Sequence, residues 1–180
     1  MKILALDPGF AATGAVVMEW KGNVWWPAEM KCIRTTKDDA KLGVRVAEQD
    51  VTRVQETARA LVDIIDRHQI KMMVVELPHG GAQSSRAVRA MALSTGLIAG
   101  LVEYFGLAVE WLTPDDTRIA AVGSRKATKD QVMAGMAVRY PALNDIKTKA
   151  EKEHIADAMS CFRAAELAGN LVRLAINGGQ

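Results

Sequence analysis

The chain has 180 residues, 49% hydrophobic and 24% charged, with 5 Pro and 14 Gly, a mix that excludes a disordered or fibrous protein and fits one compact domain with an ample core. Its two cysteines, Cys32 and Cys161, form no Cys-x-x-Cys pair, which argues against zinc-ribbon and disulfide scaffolds and for a reduced, intracellular protein. The net charge of +2 says little by itself about partners.

Residues 1–6 read as a fully buried strand that belongs to the fold and is not a signal peptide. Pro8-Gly9 turns the chain, and residues 13–20 read as a second strand. Lys21-Gly22-Asn23 is a turn signal, so residues 24–33 should return as a third strand of an antiparallel meander. Its Trp25-Trp26 pair is read as sheet packing in preference to a base-stacking platform. Residues 37–43 are polar and read as a loop.

Val51, Val54, Ala58, Leu61, Val62 and Ile65 recur at helical spacing and predict a helix over 50–69. Residues 71–75 form a short apolar run, expected as a buried strand, and 78–83 a Gly-containing loop. Ser84-Ser85 offers an N-cap for a helix over 85–105. That helix is poor in charge and rich in small residues, so it is expected either to be buried or to form half of a dimer interface. No uninterrupted apolar stretch reaches the roughly 18–20 residues of a bilayer span, and no membrane association is expected. A strand over 108–112 is followed only by helices, near 115–122, 128–140 and 152–168. The organisation is thus a single domain over 1–170 with a short, frayed tail over 171–180.

Three meander strands, then helix–strand–helix–strand, predict an α/β fold: a mixed five-stranded sheet, part antiparallel and part parallel, with helices on both faces. This is the element order of the ribonuclease H-like fold. It would set Asp7 and Glu76 on adjacent strands with the last helix laid across them.

Four residues stand out in that frame. Asp7 follows the apolar run 3–6, Glu76 follows 72–75, and His154 and Asp157 lie three apart in an Ala-rich helical segment. A carboxylate at the end of a buried strand is costly unless paired or bound to a cation. Two strand ends and an i, i+3 helical pair describe a site for hard divalent ions, and so metal-dependent phosphodiester chemistry. Each residue also has a plainer reading: Asp7 as a turn cap, Glu76 as a solvent-facing strand end, and His154 with Asp157 as a surface pair beside Glu151, Lys152 and Glu153. Glu153, one turn before Asp157, is a candidate participant outside the ligand set. Charge is segregated as well. Residues 118–149 carry seven Lys or Arg against Asp130 and Asp145, and 77–102 carry Arg86 and Arg89 with no acid, whereas 48–66 carry five acids against two arginines. A segregated positive face suits a polyanion.

Leu6-Asp7-Pro8-Gly9 with Thr13-Gly14, Val75-Glu76 and His154-Ile155-Ala156-Asp157-Ala158 together resemble the RuvC family of Holliday junction resolvases, phage-type members included. The segment from Pro114 to Val132, ending Val122-Gly123-Ser124-Arg125-Lys126-Ala127-Thr128-Lys129-Asp130-Gln131-Val132, is similar to that family's Pro-containing basic helix, Gly turn and Lys-x-Gln-Val helix start. The resemblance spans about 4–165. It implies a homodimeric endonuclease that cuts four-way DNA junctions by paired symmetric nicks, with two Mg²⁺ or Mn²⁺ ions per site and 5′-phosphate and 3′-hydroxyl products. A broader fork or flap nuclease and a non-catalytic junction-binding module are the alternatives.

By position, Asp7, Glu76 and Asp157 match the metal carboxylates, and His154 stands where many members have a further Asp. Lys129, the other catalytic candidate, and Arg118 match basic positions serving the scissile phosphate and the DNA backbone. Arg125, Lys126, Arg86 and Arg89 are further expected DNA contacts. His79 stands where members often place an aromatic near the junction crossover. The expected compartment is the cytoplasm, acting on nucleoid DNA. The sequence identifies no branch-migration partner.

Overall fold

The structure, a computed structural model, describes residues 1–36, 45–77 and 84–177. Lys2–Asp7 (β1), Ala12–Lys21 (β2) and Val24–Arg34 (β3) form the meander, turned through Gly22 and Asn23, both at positive φ. Val46–His68 (α1) leads to Met72–Glu76 (β4), and Ser85–Phe105 (α2) leads to Ala108–Leu112 (β5). The sheet order is β3-β2-β1-β4-β5, antiparallel across β1–β3 and parallel across β1, β4 and β5. Pro114–Val122 (α3), Lys129–Arg139 (α4), a 3₁₀ turn at Pro141–Asp145, Lys149–Ala168 (α5) and Asn170–Asn177 (α6) complete the chain. This is the expected ribonuclease H-like, mixed five-stranded α/β arrangement.

The central strands read as continuous apolar runs because both their faces are covered. Along β1, Ile3 and Ala5 join the core beneath α5, with Val74 of β4 and Ile155, Met159 and Phe162 of α5. Leu4 and Leu6 join the core on the opposite side, with Met73, Val75, Leu61, Ile65 and Ile98. Side chains alternate along a strand, so Asp7 follows Ala5 and Glu76 follows Val74 onto the α5 side. Two apolar runs and a period of two therefore aim both carboxylates at one helix.

Several boundaries differ from the sequence expectation. α1 begins one turn early, where the Arg45 backbone N–H donates to the Glu48 carboxylate at 3.3 Å. Val51 is exposed, and the buried residues of this first half are polar: Gln49, Asp50, Arg53 and Thr57. α5 begins at Lys149 because Thr148 caps it, accepting the Glu151 N–H, so 149–151 lie inside the helix. Residues 170–177, expected in part as frayed tail, form α6, with Val172 fully buried. Trp25 packs against Trp20 and Phe162, but its neighbour Trp26 points the other way and is 58% exposed.

The expected loop 37–43 and the loop 78–83, with His79, lie outside the described residues. α2 buries only Ile98 and Leu101, leaving Val88 and Tyr104 exposed. By length and composition it is also the one described helix that could cross a bilayer, with a mean hydropathy of 1.3 and 17% of that window buried within the chain.

Candidate active site

Asp7 closes β1 opposite Gly14 of β2, and Glu76 closes the parallel neighbour β4. α5 crosses them at close range. A Cβ at position 14 would run into the His154 carbonyl oxygen, so glycine is what lets the helix sit on β2. The approach brings the His154 ring to Asp7, with Nδ1 3.0 Å from Oδ2. Asp157 follows one turn on, over the same strand ends. These four residues, with Arg118 and Lys129, line one cavity of about 260 Å³. The structure therefore brings together every expected catalytic residue, contributed by β1, β4, α4 and α5, with Arg118 added from α3.

The electrostatics of the cavity are unbalanced. Burial, reinforced by the charges of Asp7 and Glu76, pushes the Asp157 carboxyl up to about 7. Burial pushes Glu76 up to about 6; a hydrogen bond from Thr117 opposes the shift and the Asp7 charge adds to it. The Asp7 hydrogen bond raises the His154 pKa against the effect of its burial. The Lys129 ammonium is paired with Glu153, which raises its pKa, and its charge only partly offsets the raised carboxyls of Glu76 and Asp157. Among the described residues no hydrogen bond or ion pair engages the Asp157 side chain.

Three carboxylates and an imidazole are a donor set for a hard divalent cation. As the side chains stand, no three ligating groups among the described residues converge closely enough to chelate an ion. Each of two carboxylates has one oxygen engaged within the protein, Asp7 Oδ2 with His154 and Glu76 Oε2 with Thr117. The residues fit a divalent ion in chemistry and in their placement around one cavity.

The remaining basic candidates are dispersed. Arg125 and Lys126 are exposed in the turn joining α3 to α4, with Arg125 4.0 Å from Asp115. Arg86 is exposed at the start of α2. Arg89 is committed to the buried Asp50 of α1 through Nη2. Within the positive segment, Arg139 pairs with Glu166 and Lys149 with Asp130, so its net charge excess overstates the free cations.

Two residues of consequence were not visible in the sequence. Arg53, in the polar half of α1, stacks over the Phe10 ring at 4.3 Å. It also donates to Thr35 Oγ1 at 2.8 Å and to the Phe10 carbonyl oxygen, holding the turn that follows Asp7. Thr117 of α3 is 3% exposed and donates from Oγ1 to Glu76 Oε2 at 2.7 Å. A threonine inside a helix carries no local signal of either role.

The family described as "Crossover junction endodeoxyribonuclease RuvC" matches residues 3–162. The protein of that name from Desulforamulus reducens is 34% identical over 134 residues, 73% of this chain and 75% of the relative. Its counterpart from Protochlamydia amoebophila is 27% identical over 158 residues, 88% of this chain and 86% of the relative. Among solved structures, Thermus thermophilus RuvC in complex with a Holliday junction substrate superposes with a TM-score of 0.71 at 18% identity, covering 92% of this chain and 93% of that one. The yeast mitochondrial Holliday junction resolvase gives 0.63 at 11%, covering 95% and 82%. These two likenesses concern the fold.

Proposed function

From the premise that the chain belongs to the RuvC family of crossover junction endodeoxyribonucleases, we propose that it resolves four-way DNA junctions by paired, symmetric nicks. One observation carries this reading. Asp7, Glu76 and Asp157, from three separate elements, line one cavity with His154, Arg118 and Lys129.

Asp7, Glu76, Asp157 and His154 would hold Mg²⁺ or Mn²⁺, two ions per site. When bound, such ions lower the pKa of a water and neutralise the oxygen that leaves. The reaction adds water across a P–O3′ bond. The water oxygen bonds to phosphorus, the 3′ oxygen departs and takes a proton, and the products are a 5′-phosphate and a 3′-hydroxyl. Arg118 and Lys129 face the scissile phosphate from the cavity wall. To reach charge developing on the transition state, Lys129 must leave Glu153. Neutral imidazole at His154 suits Mn²⁺ better than Mg²⁺. Arg86, Arg125 and Lys126 engage backbone phosphates, which position DNA without reading its sequence. Arg89 can join them only by releasing Asp50, and His79 is proposed near the crossover.

A four-way junction has two strands to cut, and a homodimer sets two sites on it. The uncovered apolar face of α2, around Val88 and Tyr104, is where a second copy would seat. The setting is the cytoplasm, on nucleoid DNA.

The test is a panel of mobile four-way junction, fork, flap and duplex, incubated with Mg²⁺, with Mn²⁺ and with chelator, beside sedimentation of the protein at micromolar concentration. The expected result is metal-dependent, paired cutting of the junction by a dimer. Equal cutting of all four substrates, or a monomer that makes single nicks, would overturn the reading.

A further inference from the structure

Glu76 ends its strand at the edge of the cavity, and its backbone neighbour Leu77 is tied by its N–H to the Leu112 carbonyl at 2.8 Å. The main chain is fixed there, but a Glu side chain keeps three rotatable bonds, enough to swing a carboxylate by several ångströms. What restrains it is on another element. Thr117 lies on α3, 41 residues further along, and is almost wholly buried.

Its hydroxyl sits 2.7 Å from Glu76 Oε2 and 3.0 Å from the Pro114 carbonyl oxygen. One proton cannot serve both. A helical threonine ordinarily returns its proton to a carbonyl one turn back, the role Pro114 offers here. The carboxylate is the nearer acceptor and carries the charge, so it takes the proton, and the bond is of the stronger, charge-assisted kind. α3 is held in turn, since Thr113 and Asp116 close a capping box at its first turn. The hydroxyl is thus presented from a fixed helix to a flexible acid, and it occupies Oε2 while Oε1 has no protein partner among the described residues.

We propose that Thr117 is the positioning residue of the site: its hydroxyl fixes the Glu76 carboxylate with one oxygen committed to α3 and the other left for a divalent ion. The inference rests on the metal-nuclease reading above. Groups that hold a ligating carboxylate or imidazole in place typically contribute 10–100-fold to metal affinity or activity. α3 is therefore part of the site, and it carries Arg118 into the same cavity on the next residue.

The experiment compares the full-length parent with Thr117→Val, which keeps the shape and removes the hydroxyl, and Thr117→Ser, which keeps the hydroxyl. Mn²⁺ affinity is read without DNA, by electron paramagnetic resonance of the free ion. Junction binding is read in chelator, and the melting temperature is followed throughout. Thr117→Val should weaken Mn²⁺ binding roughly 10–100-fold and raise the metal concentration for half-maximal cutting by a similar factor, with junction binding unmoved. Thr117→Ser should restore most of the affinity. Parent-like Mn²⁺ affinity in Thr117→Val overturns the inference, as does a loss that Thr117→Ser fails to restore, which would mark a packing role. Glu76→Gln separates this failure from that of the underlying reading. If it binds Mn²⁺ and cuts like the parent, Glu76 is no ligand and the nuclease site itself is misassigned.

Discussion

On the outer strand of the sheet, Glu29 receives two nitrogens of Arg67, at 2.9 and 3.0 Å, and lies 2.6 Å from His68 Nε2. Those bonds, Arg67 foremost, hold its carboxyl at about 2 against the opposing effect of burial. At the ends of β1 and β4, Asp157 has no such partner, and burial among other acids lifts it to about 7. The same functional group is satisfied in one region and left unsatisfied in the other. Ion pairs like that of Glu29 serve stability in modest amounts, whereas an uncompensated acid cluster costs stability. The difference sets the acid cluster apart as the candidate functional site.

The strongest way to break this comparison is to remove charge from the cluster. Asp7→Asn should lower junction cutting in Mg²⁺ or Mn²⁺ by roughly 10³-fold or more while leaving junction binding in chelator within a few-fold. Substantial cutting by this variant, read on a labelled four-way junction, would mean that the cluster is not the catalytic centre.

A second test uses stability and pH. Asp157 and Glu76 have folded pKa values above their unfolded ones, so the folded protein binds more protons between about pH 4 and 7. Stability of the metal-free protein should therefore fall as pH rises through that window. Asp157→Asn should flatten the fall and stabilise the metal-free protein at pH 8 by on the order of 1–2 kcal/mol, while abolishing cutting. Mn²⁺ should raise the parent's melting temperature at pH 8 and the variant's much less. Calorimetry across pH, with and without metal, reads all three, and a parent indifferent to pH and Mn²⁺ would contradict the electrostatics.

The smallest effect belongs to the satisfied partner. Glu29→Gln should cost only about 0.5–1 kcal/mol at pH 7, because Arg67 is half-exposed and solvent screens the pair. Glu29 has a depressed folded pKa, so its contribution is present above about pH 4.5 and lost as pH falls toward about 2. Cutting should be unchanged. A loss of activity here would tie the β3 edge to function and blur the contrast.

Much of the site was legible in the chain before any contact was known. Apolar runs ending in Asp7 and Glu76, and an i, i+3 pair in an Ala-rich helix, are local patterns with periods of two and 3.6 residues. Strand alternation then fixes the face to which both acids point, and the turn at Gly22-Asn23 fixes the antiparallel pairing of β2 with β3. Helix starts were less legible, since the caps at Arg45 and Thr148 extended α1 and α5 beyond their periodic cores.

What the sequence determined by itself was the order of elements and the acids at their ends, because propensity and periodicity are carried by near neighbours in the chain. The tertiary structure decided which groups meet. The Asp7–His154 contact joins residues 147 apart, Thr117 reaches Glu76 across 41, and Arg89 is drawn to Asp50 across 39. It also left α2 largely uncovered and folded 170–177 into a helix whose Val172 the core accepts. No local pattern encodes such pairings. They depend on how whole elements pack, and the raised carboxyls of the cluster exist only once that packing has removed water and brought like charges together.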